Sequence, residues 1–213
     1  MTTNTRLSTA FTAQDASSRM RAALAAGSDP RPGDVADLVA QCAVEPDFFV
    51  RDMLTWALTR HPHADVVPVL LTQLHSPTAQ ARSQALHTLS KIGEVAAVAS
   101  YPHITDDLLQ DADDEVARTA WRAAVGLVPQ PEAPRLAVRL SGQLGRGDRE
   151  LRRSLTRAYL ELGEDARGVL RTHGSRHAAA TLLLLDDPDL GFDAAEYEAQ
   201  RARPGIDSND ADR

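Results

Sequence analysis

Apolar residues return every three to four positions along most of this chain, the spacing of one face of an α-helix rather than a strand. One template recurs four times. An apolar residue is followed by small or apolar residues 4, 7, 8 and 11 positions later, often with Arg at position 1. It reads Val50, Arg51, Leu54, Ala57, Leu58; then Ala81, Arg82, Ala85, Thr88, Leu89, Ile92. It returns as Val116, Ala120, Ala123, Ala124, Leu127, with the arginine displaced to Arg118, and as Leu151, Arg152, Leu155, Ala158, Tyr159, Leu162. The starts are 31, 35 and 35 residues apart, the signature of a repeat array. Gly93 and Gly163, twelve positions after their starts, suit left-handed C-terminal caps.

Each of these helices is preceded by another. The clearest is Val66–Leu74, ended by His75-Ser76-Pro77, with Ser76 as expected N-cap of the next helix and Pro77 in its first turn. Its counterparts are Val35–Ala43, Glu94–Gln110 interrupted at Pro102, and Glu132–Leu144, with Asp148 capping the helix that follows. A shorter fifth pair is predicted at Asp165–Arg171 and Arg176–Leu185. Thr12–Ala26 reads as an extra helix ended by Gly27, and Ala194–Arg203 as one more. The implied division is a disordered stretch at 1–11, a capping helix at 12–27, an array at 33–186 and an acidic, partly disordered tail at 187–213.

Composition narrows the class. Aromatic residues make up only 4% of 213, which favours closely packed helices over sheets. No run of 18 apolar residues is present, and Met1–Thr12 lacks the order of a signal peptide, so a cytoplasmic protein is expected. A single cysteine, Cys42, excludes an internal disulfide framework; it reads as a small core residue. The net charge of −7 argues against a protein that coats nucleic acid. Charge is uneven, however: residues 131–177 carry ten arginines against six acids, and residues 178–213 three against nine. The basic block beside an acidic end suggests that the tail shields a basic face.

The unit VVPVLLTQLHSPTAQARSQALHTLSKIG resembles the HEAT repeat in its short bacterial form. The resemblance covers roughly residues 33–186. It implies an all-α fold, a right-handed α-solenoid of about five antiparallel helix pairs, armadillo-like, in which stacking makes the core. It also implies that the second helix of each pair lines a concave groove, and that Arg51, Arg82 and Arg152 form the family's inter-repeat arginine ladder.

On those second helices, positions 2, 5, 6 and 9 lie opposite the apolar stripe. The expected groove residues are therefore Asp52, Trp56, His87, Arg118, Trp121, Arg122, Arg149, Arg153 and Arg157. Tryptophan and arginine are the residue types most enriched at binding hot spots. Trp56 and Trp121 then serve as anchors and the arginines attract acidic groups. Like charges spaced as in Arg149, Arg153 and Arg157 repel one another, which disfavours a purely structural role.

Catalytic patterns are sparse. The chain has no P-loop, G-x-G-x-x-G, G-x-S-x-G or H-E-x-x-H, and no His is followed by Glu as in the HEAT-like iron hydroxylases. His173 and His177 stand four apart without a carboxylate at ligand spacing and read as surface histidines; His61, His63 and Asp65 share a loop. Neither set makes a convincing metal site, and no cofactor or bilin-lyase residue is evident. Asp52 and Trp56 on one face are similar to the Asp and aromatics of alkylpurine DNA glycosylases built on HEAT-like repeats, which gives the alternative of a nucleic-acid-binding or base-excision enzyme. The leading expectation is a non-enzymatic protein–protein interaction module. It would bind a partner segment carrying acidic and apolar groups in its groove.

Overall fold

The computed structural model describes residues 6–202. It contains 14 α-helices, and no strand occurs among the described residues. The chain divides into two compact units, residues 1–132 and 133–213.

The first unit begins with a one-turn helix α1 (Arg6–Ala10), inside the stretch expected to be disordered, and α2 (Ala16–Ser28). The array then runs through α3 (Asp34–Cys42), α4 (Phe48–Arg60), α5 (His63–Gln73), α6 (Ala79–Ile92), α7 (Glu94–Ser100), α8 (Asp106–Leu109) and α9 (Asp114–Leu127). Two layers result. Helices α2, α4, α6 and α9 pack one on the next, and α1, α3, α5 and α7 pack along them as the other layer. Pro102 falls in a 3-10 turn that splits the expected Glu94–Gln110 helix into α7 and α8. The second unit holds α10 (Ala133–Leu140), α11 (Arg149–Leu162), α12 (Glu164–His173), α13 (Arg176–Asp186) and α14 (Phe192–Arg201). Here α11 and α12 pack on α13, and α13 packs on α14.

Local chemistry sets the helix starts. Asp15, Asp47, Asp113, Asp148 and Ser175 are N-caps whose side chains accept first-turn N–H groups. At α6 the cap is Thr78 rather than Ser76; the Ser76 hydroxyl instead accepts the Thr78 N–H. Gly93 and Gly163 end their helices at positive φ, as the spacing predicts. Gly27 has a different job from the one expected. It lies inside α2, and a Cβ there would sit 2.4 Å from the Trp56 ring and 2.8 Å from the Ala57 Cα. Only glycine lets α2 approach α4 this closely.

The apolar stripe is buried at every expected position of α6: Ala81, Ala85, Thr88, Leu89 and Ile92. Leu89→Ala should therefore cost about 2–5 kcal/mol, while His87→Ala, on the partly exposed side of the same helix, should stay within about 0.5 kcal/mol. Equal losses in urea denaturation would mean the face is misassigned.

A second interaction repeats with the helices. Four residues after the caps Asp15, Asp47, Thr78 and Asp148 stands an arginine: Arg19, Arg51, Arg82 and Arg152. Each folds its Nη1 back onto carbonyls of its own preceding loop, at 2.8–2.9 Å. Arg19 also clasps Glu45 through two bonds of 2.8 and 2.7 Å, and Arg82 clasps Asp111 at 2.9 and 3.1 Å. Arg152 donates to Glu196 at 3.0 Å. The expected ladder thus includes Arg19, and α2 lies in the inner layer with α4, α6 and α9. In α9 the equivalent position is Ala117.

Candidate functional site

In the first unit, the side of α4, α6 and α9 left open to solvent carries Asp52, Trp56, His87 and Arg122. Trp56 is 37% exposed, one side of its ring against α2 at Gly27. Asp52 and Arg122 are exposed, and His87 is partly buried. These groups sense one another. Burial holds the His87 imidazole below its ordinary pKa; Lys91 and Arg122 push the same way, while Asp52 and Glu115 pull it back. His87 is therefore a neutral hydrogen-bonding group at pH 7, flanked by charges of both signs. Arg118 also lies near this side, but its guanidinium is taken by Glu115 one turn earlier.

Trp121 is not part of this face. It is 1% exposed, and its indole N–H donates to the Leu109 carbonyl at 2.8 Å. The displacement is systematic, because the residue five positions after each start is buried in all four helices: Thr55, Leu86, Trp121 and Thr156. An inner helix touches its neighbours in the same layer as well as the opposite layer, so its buried arc is wider than one stripe. Hydroxyl groups fit that arc when they pair, as Ser83 does with Thr119 at 3.1 Å between α6 and α9.

In the second unit, Arg153 is partly buried and Arg157 exposed on α11. Arg149 is already engaged. Its guanidinium holds the Asp193 carboxylate at 2.8 and 2.6 Å, bonds Glu150, and lies over the Phe192 ring. Asp193 and Glu196 of α14 therefore meet Arg149 and Arg152, and Asp186 meets Arg167. Within the acidic end expected to shield a basic face, Asp193 meets Arg149 from a packed helix rather than a loose tail. Residues 203–213 lie outside the described residues.

The histidines do not assemble a metal centre. Among the described residues, no group of three His, Cys, Asp or Glu side chains is placed to hold an ion. His61 is buried, with Nδ1 bonded to the Ala57 carbonyl at 3.0 Å. His177 is buried, not the surface histidine that the sequence suggests. Its Nδ1 accepts the Gly145 N–H at 2.9 Å, so Nε2 carries the proton and donates to Thr156 Oγ1 at 2.8 Å. Thr156 in turn pairs with Thr181, whose hydroxyl donates to the His177 carbonyl. Cys42 is buried too, and burial raises its thiol to about 12, which makes it inert.

The His177 network has a pH consequence. Burial lowers its pKa from 6.5 to about 4; Arg152 and His173 add to this and Glu196 opposes it. Between those two pH values the unfolded chain binds the proton and the folded chain does not. Stability is therefore full above pH 6.5 and falls on acidification by about 3 kcal/mol at most. Protonation would also set an Nδ1–H against the Gly145 N–H. Thermal midpoints between pH 7.5 and 4 should fall less steeply in His177→Asn than in the wild type; parallel curves would refute the assignment.

No described helix is long and apolar enough to cross a membrane. No curated protein matches the chain. A family model of HEAT repeats matches residues 35–126, which begin in α3 and end in α9. HEAT repeats are generally protein-interaction modules. Over residues 35–126, therefore, this chain is similar to HEAT-repeat proteins.

Proposed function

We propose that the chain is a non-enzymatic interaction module and that the open side of α4, α6 and α9 receives a partner protein segment. The observation that carries this is Trp56, a large aromatic left 37% exposed one turn after Asp52 rather than folded into the core, while His87 on the adjacent α6 senses both Asp52 and Arg122. A rigid indole with neighbouring charges is the usual make-up of an interface anchor. The partner segment would set an apolar residue on Trp56 and acidic groups toward Arg122 and Lys91. In the second unit, Arg153 and Arg157 offer acidic groups a separate site. Asp52 is exposed, whereas a base-excision carboxylate works from an enclosed pocket around an extruded base, so the placement lends that reading no support.

The test is affinity capture from the native lysate with wild type, Trp56→Phe and Arg122→Glu. Arg122→Glu should keep its melting temperature within about 1–2 °C, as surface changes do, and lose captured proteins that the wild type retains. Trp56→Phe should capture them more weakly. Identical captured sets would refute this face. A duplex-DNA gel shift whose affinity falls steeply with salt would point to phosphate contacts instead.

A further inference from the structure

The arginine ladder shows what each guanidinium edge binds. In two rungs Nη1 takes loop carbonyls while the Nε/Nη2 edge takes a carboxylate: Arg19 on Glu45 and Arg82 on Asp111. In both, the acid stands two residues before the cap of the next inner helix. Each acid also accepts the N–H of that cap, Asp47 at 3.0 Å and Asp113 at 2.9 Å. Arg51 is held the same way on one side, with Nη1 donating to the Glu45 and Pro46 carbonyls at 2.9 and 2.8 Å. At the matching acid position, two residues before Thr78, the chain has Ser76. Its hydroxyl accepts the Thr78 N–H at 3.2 Å but brings no charge. The Nε/Nη2 edge of Arg51 makes no hydrogen bond or ion pair among the described residues.

The surroundings of that edge fit a ligand with a carboxylate next to an apolar group. Arg51, Ala79, Gln80, Ser83, Gln84, Asp113 and Glu115 line a cavity of about 200 Å³. The two acids there are committed: Asp113 caps α9 through Glu115 and Val116, and Glu115 holds Arg118. Gln84 Oε1 is buried without a hydrogen bond, an acceptor for an N–H arriving beside the carboxylate. Next to Arg51, Phe48 and Phe49 are 66% and 69% exposed and stack edge to face at 5.6 Å. The Arg51 guanidinium lies 5.9 Å from the centre of the Phe48 ring.

We infer that Arg51 with Phe48 and Phe49 forms a docking site for a partner protein segment. That segment carries Asp or Glu next to an apolar residue, and its carboxylate completes the Arg51 rung in trans. The two loop carbonyls hold the guanidinium in place beforehand, so little side-chain freedom is lost on binding. A charge-assisted, two-pronged bond then gives the site its preference for a carboxylate. This site lies at the start of α4 and is separate from the Trp56 face, so it goes beyond the function proposed above.

The probes are two peptides, acetyl-Phe-Glu-Leu-amide and its Gln counterpart, titrated into the full chain while the arginine Nε–H resonances are followed by NMR. The Glu peptide should move the Arg51 resonance and bind about tenfold more tightly than the Gln peptide. Ser76→Asp supplies the acid from within. It should raise the melting temperature and reduce affinity for the Glu peptide to that of the Gln peptide. Arg122→Ala should leave the peptide-induced shift of the Arg51 resonance, and the affinity read from it, unchanged, which separates this site from the Trp56 face. Equal affinity for the two peptides would overturn the proposal, and so would full Glu-peptide binding by Ser76→Asp. Acetate alone matching the Glu peptide would mean simple anion contact and would overturn it as well.

Discussion

Arg19→Met should lower the melting temperature by roughly 10 °C, because breaking one side of an enclosed ion pair leaves an unpaired buried charge. The stranded group is Glu45, whose side chain is fully enclosed. Glu45 takes Arg19 Nε and Nη2, the Gln41 amide and the Asp47 N–H, so its loss of one partner is felt across α2, α3 and the start of α4. Replacing both residues by Met and Leu should recover most of the loss, since a buried pair is often matched by apolar packing of similar volume. The acid limb gives a second check. Burial pushes the Glu45 pKa up, but the bonds from Arg19, Asp47 and Gln41 outweigh it, and the net shift is downward. A carboxylate with a lowered folded pKa contributes stability above its unfolded value, near 4.5, and loses it as pH falls through the folded value. In the double variant that part of the acid transition should vanish. If Arg19→Met melts like the wild type, α2 is not held by this pair.

Trp121→Ala should cost about 3–5 kcal/mol of stability. The ring is fully enclosed, and its N–H serves the Leu109 carbonyl in the turn at α8. Trp121→Phe keeps much of the volume but strips that carbonyl of its donor, so it should lose about 1–3 kcal/mol. Urea denaturation followed by circular dichroism measures both. An exposed anchor behaves in the opposite way: truncation leaves the midpoint alone and removes binding. A Trp121→Ala protein of unchanged midpoint would return this residue to the surface.

Trp121 also shows where sequence periodicity stops being informative. The 0, 4, 7, 11 stripe correctly marks the buried positions Val116, Ala120, Ala123 and Leu127. It describes one interface, whereas an inner helix of stacked pairs has neighbours in both layers. The additional contacts are made by residues that look polar or neutral in sequence, such as Ser83, Thr119 and Thr156, because a hydroxyl can be buried once bonded. Asp52, Trp56 and Arg122 reach solvent on the side opposite the stripe, while Trp121 falls within the wider buried arc. Arg149 was legible as a surface cation, but its partner Asp193 is 44 residues away, beyond any local pattern. Arg19 was legible in principle, since Asp15 to Arg19 repeats the Asp47 to Arg51 and Asp148 to Arg152 spacing. The polar mixture around it masks the apolar stripe by which the other inner helices announce themselves.

The clasp between Arg19 and Glu45 has a consequence for dissecting the protein. The stretch that matches the HEAT-repeat family begins at residue 35, after α2 has ended. A fragment cut to that boundary would keep Glu45 and lose Arg19. It would also strip Gly27 from the Trp56 ring and uncover the side of α4 on which α2 packs. The smallest autonomous piece of the first unit therefore starts before Ala13, whose carbonyl holds the Arg19 guanidinium, and not where family likeness starts.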